Sequence, residues 1–341
     1  MYYAPVIIPT LNRKKHLERC LNSLANNTGA QNTHVIISVD YPPSVKYVDG
    51  YNNVKDYLTH TEKIKTAFKE LTVIYQDINL GPEGNCKFLK EFVGKKSKTY
   101  IFTEDDNEFS PNFLIYINSG LIKFENYSEV LGICAYKDTA WEYNGENYTA
   151  VKLFPGYGVG LWKEKDKLCE DRIKRLLLGN FREIRENIRT LYKKSKSLCA
   201  IYVNDILMER NKPYWVDNEL CMIDTTRSIY MHLTNAVCIV SSESKSRTYG
   251  NDGSGVNMAA IDMNGYLQNH LLDHQSDFKY SGDKVDFLLC NYQIGDRYIK
   301  TVLNKKYFMK FWVSMILLKL SRYDYNKASQ YMYKLKKAVQ K

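Results

Sequence analysis

Thr99-Tyr100-Ile101-Phe102-Thr103-Glu104-Asp105-Asp106 joins a short apolar run to three consecutive carboxylates. Adjacent acids repel one another unless a cation sits among them. The apolar half reads as a buried strand, so the acids should emerge together at its C-terminal end. In an open α/β sheet that is the edge where ligands bind. A divalent cation carrying a diphosphate suits such a cluster, because Mg2+ or Mn2+ binds through one or two protein carboxylates plus phosphate oxygens. One acid after an edge strand would be an ordinary solvated turn, whereas three after a buried run call for a counter-charge.

The preceding hundred residues alternate strand-like and helix-like patterns, which predicts βαβ units and a mainly parallel sheet. Val6–Thr10 reads as a first strand and Leu11-Asn12-Arg13 as its turn. A helix follows through Leu17, Cys20, Leu21 and Leu24, whose spacing of three and four keeps one face apolar. His34–Asp40 is a second strand that ends on an acid. Residues 54–70 read as helical and Leu71–Tyr75 as a third strand. Asn79–Asn85 is a turn-rich loop leading into a helix through Phe88, Leu89 and Phe92. Three strand ends, at Thr10–Arg13, Asp40 and Glu104–Asp106, should then face one crevice.

Downstream, Ser110-Pro111-Asn112-Phe113 predicts a helix start with proline in the first turn, running to about Phe124. Val130–Ala135 reads as a strand, residues 163–195 and 203–236 as helical regions, and Val237–Val240 as a short strand. Phe154-Pro155-Gly156-Tyr157-Gly158-Val159-Gly160 is glycine-rich but lacks the Lys-Ser/Thr of a P-loop, which excludes that reading. Ser246–Gly255 has the composition of a loop ordered by its neighbours or by a ligand.

At 44% hydrophobic and 25% charged residues, this is the composition of a folded protein. The N-terminus lacks the basic stretch of a secretory signal, and no apolar run is long enough to span a bilayer. Eight cysteines without C-x-x-C spacing read as reduced thiols in the core of a cytosolic protein. The three Asn-x-Ser/Thr tripeptides are then chance matches. His270 and His274 lie four apart, but without an H-E-x-x-H signature a solvated helix is the expected reading, not zinc. The net charge of +10 sits entirely in residues 300–341, which hold eleven Lys or Arg and one acid, Asp324. No nucleic-acid motif accompanies that basicity. Residues 305–341 are equally readable as a helix lying in a membrane interface and as helices packed on the body of the protein.

Glu104-Asp105-Asp106-Asn107-Glu108-Phe109-Ser110-Pro111-Asn112-Phe113 resembles the metal-binding motif and following helix of GT-A glycosyltransferases, most of all the family 13 N-acetylglucosaminyltransferases and their bacterial family 2-like relatives. Pro9-Thr10-Leu11-Asn12-Arg13 with Glu18-Arg19-Cys20-Leu21 is similar to that group's first strand and helix. Ser38-Val39-Asp40 is similar to its uridine-binding strand end. Phe154-Pro155-Gly156-Tyr157-Gly158 and Ser246-Arg247-Thr248-Tyr249-Gly250 resemble its acceptor-side loops, so that Gly156, Tyr157 and Arg247 would face the acceptor. The resemblance covers residues 5–257.

It implies an α/β GT-A fold over 1–257, Rossmann-like with a mostly parallel sheet flanked by helices. Residues 258–341 would be a basic helical C-terminal extension with the means to associate with a membrane. By the same resemblance Asp106 binds Mn2+ or Mg2+, and Glu104, Asp105, Thr10, Arg13 and Asp40 contact the nucleotide sugar. The general base of an inverting reaction would be an Asp upstream of the Ser-Arg-Thr loop. Asp224 is the choice, Asp217 the rival and Asp205 the third candidate, because the family's Trp-Asp-Asp run is missing. The implied activity is metal-dependent transfer of N-acetylglucosamine or a similar hexose from a UDP-sugar to a glycan or lipid-linked glycan, in bacterial surface polysaccharide synthesis. The implied location is the cytoplasm or the inner face of its membrane. The alternatives are a sugar-1-phosphate nucleotidyltransferase, disfavoured because the first turn has no glycine, and a silent membrane-associated glycan-binding protein.

Overall fold

The computed structural model describes residues 3–137, 147–208, 215–216, 219–220, 223–254, 267, 270–281 and 305–339. The chain divides into two compact units: Met1–Ala150 with Pro155–Asp166 and Cys238–Asp286, and Val151–Phe154 with Lys167–Val237 and Phe287–Lys341.

In the first unit β1 (Val6–Thr10), β2 (His34–Val39), β3 (Glu70–Tyr75) and β4 (Thr99–Phe102) alternate with α1 (Lys14–Ala25), α2 (Val48–Thr59), α3 (Glu62–Ala67) and α4 (Gly81–Gly94). These strands are mutually parallel and stand in the order β3-β2-β1-β4. Their C-terminal ends therefore share one edge. Leu17, Cys20, Leu21 and Leu24 of α1 are fully buried, as their spacing predicts. The segment read as one helix over 54–70 is two, α2 and α3, parted at His60, where Thr59 turns its hydroxyl back to the carbonyl of Lys55.

The sheet continues through β8 (Val159–Trp162), β6 (Val130–Cys134), β11 (Val237–Ser241) and β7 (Tyr148–Val151). β8 is antiparallel to both β4 and β6. The glycines in and just before it conceal it in the sequence. Gly158 has φ +88°, and a Cβ on Gly160 would lie 2.4 Å from Ile117 Cγ2, so only a bare strand lets α5 (Phe113–Lys123) pack there. That helix begins two residues later than Pro111 suggests, because the Ser110 hydroxyl bonds Asn112 Oδ1 and shapes a turn first. A small second sheet pairs β5 (Asn107–Phe109) with β12 (Ser246–Thr248) in antiparallel register.

Residues 270–281 carry no helix, which corrects the expectation for His270 and His274. His270 stacks on Tyr136 with ring centroids 6.0 Å apart. The irregular segment is pinned by a buried ion pair between Lys245 and Asp273, and Asn112 Nδ2 donates to the same carboxylate oxygen at 2.8 Å. Tyr280 then enters an aromatic cluster with Tyr116, Phe124, Tyr148 and Phe278.

The second unit holds α6 (Lys163–Leu177, whose first turn belongs to the first unit), α7 (Phe181–Lys194) and α8 (Lys196–Ile201), which runs into a π-helical turn at Tyr202–Leu207. Asn180 and Glu183 form a reciprocal capping box at the start of α7. A hairpin of β9 (Trp215–Val216) and β10 (Glu219–Leu220) precedes α9 (Ile223–Leu233), so the helix predicted over 203–236 is interrupted. The basic tail forms α10 (Lys305–Leu320) and α11 (Tyr325–Val339). Phe311, Ser314, Leu317 and Leu318 of α10 are buried, and Ser314 Oγ donates to Asn204 Oδ1 at 3.0 Å. One face of the tail is thus packed, as the second of the two readings holds. Asp205, the third candidate base, accepts the Tyr307 hydroxyl and lies 3.7 Å from Lys310 Nζ, which ties it to α10. The six described cysteines, Cys20, Cys86, Cys134, Cys169, Cys199 and Cys238, are buried free thiols.

Candidate functional site

Parallel register delivers the predicted residues to one edge. Thr10 ends β1, Asp40 follows β2, and the acids follow β4, with the amide of Asp40 donating to the Thr10 carbonyl at 2.9 Å. Asp105 and Asp106 are buried, whereas Glu104 is exposed. The cation that three neighbouring acids require is present within the chain. Arg13 donates to Asp105 Oδ1 through Nη2 and to Asp106 Oδ2 through Nη1 at 2.8 Å. Burial works against the guanidinium's charge, but Asp105 and Asp106 outweigh it and raise the pKa of Arg13. Thr10 Oγ1 donates to the second oxygen of Asp105 at 2.6 Å, so that carboxylate is fully engaged.

Asp106 is not. Its Oδ1 is buried and has no hydrogen-bond partner. Burial, reinforced by the charge of Asp105 and opposed by Arg13, raises its pKa. A carboxylate oxygen held without a donor is costly, and it is the group a divalent cation would take up. Among the described residues no cluster of three metal-binding side chains exists. That donor set fits Mg2+ or Mn2+ carried on a diphosphate, which needs few protein ligands, and does not fit a closed structural metal cage.

The loop after β12 covers this point. Because β12 pairs with β5, the Tyr249 amide reaches the Asp106 carbonyl at 2.8 Å. A Cβ on Gly250 would stand 2.4 Å from Asp106 Oδ2. Arg247 Nε bonds Glu108 Oε2 at 2.6 Å, and the Tyr249 hydroxyl donates to the same oxygen at 3.0 Å. Arg19 lies 3.6 Å from the centre of the Tyr249 ring. His16 Nε2 meets Asp252 Oδ2 at 3.0 Å and Ser254 Oγ at 3.2 Å, while its Nδ1 is buried without a partner. None of His16, Glu108, Tyr249 or Asp252 was marked by sequence reasoning as a site residue. The gap in sequence between α1 and this loop leaves no local signal of their meeting. A Gly250→Ala substitution should displace the Asp106 carboxylate from Arg13 and weaken any Mn2+ binding at that oxygen about tenfold, roughly 1.4 kcal/mol. Calorimetric titration of the variant checks this.

Asp40 is buried and turned toward its own loop. Its Oδ1 accepts the amides of Tyr41 and Leu80 at 2.9 and 2.8 Å, and Asn79 Nδ2 donates to Oδ2 at 3.2 Å. Burial raises its pKa against the pull of those amides. The remaining predicted residues are less closely joined. Ser246 Oγ donates to the Tyr157 carbonyl, tying the Gly156-Tyr157 loop to β12. Arg247 is spent on Glu108. Asp224 is exposed on the first turn of α9, in the second unit. Asp217 lies outside the described residues.

Residues 6–147 match the family model described as Glycosyl transferase family 2. No curated protein matches the chain at a significant level. Among solved structures, S. aureus TarS 1–349 with UDP-GlcNAc shares 18% identity over 50% of this chain and 47% of its own, at a TM-score of 0.34. The free form of TarS 1–349 shares 13% over 74% and 62%, at 0.38. The mannosyltransferase PcManGT from Pyrobaculum calidifontis, in complex with GDP-Man and Mn2+, shares 15% over 50% and 46%, at 0.35. The chain spans less than two-thirds of the length of each of these. Together with the mostly parallel sheet and the acids at its strand ends, the match over residues 6–147 supports a glycosyltransferase of GT-A fold.

Proposed function

We propose that the chain transfers N-acetylglucosamine or a similar hexose from a UDP-sugar to a glycan acceptor, with Mn2+ or Mg2+ at Asp106. The observation that carries this reading is the unpartnered Oδ1 of Asp106 beside a carboxylate pair already bridged by Arg13. Bound there, the cation would supply charge stabilisation to the leaving diphosphate. Arg13 contributes the protein's own fixed charge at the same point, where negative charge grows in the transition state. Asp105, locked by Thr10 and Arg13, is a rigid acceptor for ribose or sugar hydroxyls, with Glu104 exposed beside it. Asp40 and the Asn79–Gly81 turn hold the strand end expected to meet the uracil. The Gly156-Tyr157 loop and Arg247 belong to the acceptor side, and Asp224, with Asp217 as its rival, is assigned the proton of the acceptor hydroxyl in an inverting displacement.

Solved structures hold TarS with UDP-GlcNAc and PcManGT with GDP-Man and Mn2+, which makes a nucleotide-sugar panel the natural first assay. With the UDP-sugar reading go a cytoplasmic placement and surface polysaccharide assembly, with a lipid-linked acceptor if the enzyme works at the inner face of the membrane. Thermal unfolding with UDP and Mn2+ tests the site. At a ligand concentration near 100 times Kd the native state should gain about 2.7 kcal/mol. No shift with UDP and Mn2+, or the same shift with UDP and EDTA, overturns the metal assignment.

A further inference from the structure

α10 is apolar on two opposite sides. Its inner face, Phe311, Ser314, Leu317 and Leu318, is buried within the second unit. Its outer face repeats at spacings of three and four: Met309 is 68% exposed, Trp312 53%, Val313 42%, Ile316 58% and Leu320 73%. A run of five large apolar side chains in water along one helix is far from the scattered surface leucine of an ordinary monomer. Exposed Lys305, Lys306 and Lys319 border it. Trp312 also lies 6.2 Å from Tyr192, a half-exposed ring with Lys196 Nζ 5.5 Å from its centre. Apolar anchors, amphipathic aromatic rings and lysines thus share one surface of the second unit.

We infer that this surface docks the protein on an anionic lipid bilayer, with the α10 stripe entering the headgroup boundary and the lysines meeting lipid phosphates. The tail's charge decides between occupants. From Lys300 onward the chain has eleven basic residues and one acid. A second copy meeting the stripe face to face would press like charges together, whereas each lysine gains attraction at an anionic surface. Tryptophan and tyrosine suit the same boundary, since their rings are apolar and their N–H and O–H groups remain hydrated. The helix is too short and too packed on its inner side to cross a bilayer, and among the described residues none is long and apolar enough to do so. This inference goes beyond the donor chemistry and stands or falls separately from it.

Sedimentation of the full chain with liposomes tests the inference. Vesicles of phosphatidylcholine with about a third phosphatidylglycerol should bind it at least about tenfold more strongly than pure phosphatidylcholine, and 0.5 M salt should weaken the binding. Ile316→Glu should abolish binding, and Lys305→Glu with Lys319→Glu should remove the anionic preference. Both variants should keep the wild-type thermal midpoint and UDP response, since they alter exposed positions. The inference is overturned if wild-type protein does not sediment with anionic vesicles, or if Ile316→Glu sediments as well as wild type. It is also overturned if the stripe proves to be a dimer contact, seen as a concentration-dependent mass doubling in light scattering that Ile316→Glu removes.

Discussion

Asp106→Asn should reduce transfer by about 10³-fold, the roughly 4 kcal/mol that a metal's charge stabilisation contributes to a developing anion. The substitution keeps the side chain's volume, so the fold should survive. Asn can still offer an oxygen, but without the charge that draws a divalent cation to a site with so few protein ligands. The Arg13 guanidinium would lose one of its two carboxylate partners and turn wholly to Asp105. The expected signature is a fall in kcat, together with loss of the stabilisation that UDP gives only in the presence of Mn2+. Asp224→Asn tests the proposed assignment of the acceptor proton to Asp224. It should leave the UDP and Mn2+ stabilisation intact and lower kcat with little change in donor KM. If Asp106→Asn keeps both turnover and the metal-dependent shift, the cation is held elsewhere.

Asp273→Ala should cost about 3–5 kcal/mol of stability, the usual consequence of leaving a buried ion without its partner. Lys245 is 1% exposed and Asp273 10%. The Lys245 ammonium also lies 4.8 Å from the centre of the Phe278 ring and feels the charge of Glu243. Burial lowers the pKa of Lys245 against the pull of Asp273. For Asp273 burial works the other way, but the bonds from Lys245 and Asn112 outweigh it and hold its pKa below the ordinary value. A depressed carboxylate pKa means that the pair's contribution is complete above the unfolded value near pH 4, and is lost as pH falls through the folded value. Urea unfolding at neutral pH checks the cost. The double variant Lys245→Met with Asp273→Leu should recover most of it, because both ions then leave the interior together.

The βαβ half of the chain was legible because its signals are local. Leu17, Cys20, Leu21 and Leu24 announce the buried face of α1, and an apolar run ending in acids announces both β4 and its edge of the sheet. Asp105, Asp106, Thr10, Arg13 and Asp40 could be named because each ends or follows a strand. What could not be read was pairing over distance. β8 was concealed because Gly160 and the two glycines just before the strand break up the apolar run, and the reason for Gly160 is a methyl group on α5 some forty residues earlier. The reading of residues 270–281 failed for a similar cause. An isolated His-x-x-x-His suggests a helix, but the segment is tied down by Lys245, Asn112 and an aromatic cluster from distant elements. Arg13 was expected to meet phosphate, and its partners in the structure are the acids themselves, which nothing in the spacing of residues 13 and 105 foretells.

The antiparallel pair β5–β12 has a consequence for how the protein is made. Glu108 and Arg247 pair across 139 positions of chain, whereas β1 to β4 are complete by Phe102. During synthesis the parallel strands can assemble while the segment that closes over Asp106 has not yet left the ribosome, and contacts of such long range form slowly. A fragment ending near residue 150 would keep both aspartates and Arg13 but lack Gly250, Tyr249 and the Asp252 that meets His16. Such a nascent chain can carry the acids of the proposed donor site long before the loop that closes over them exists, so the interval between translation of Asp106 and of Gly250 would separate folding from the onset of binding.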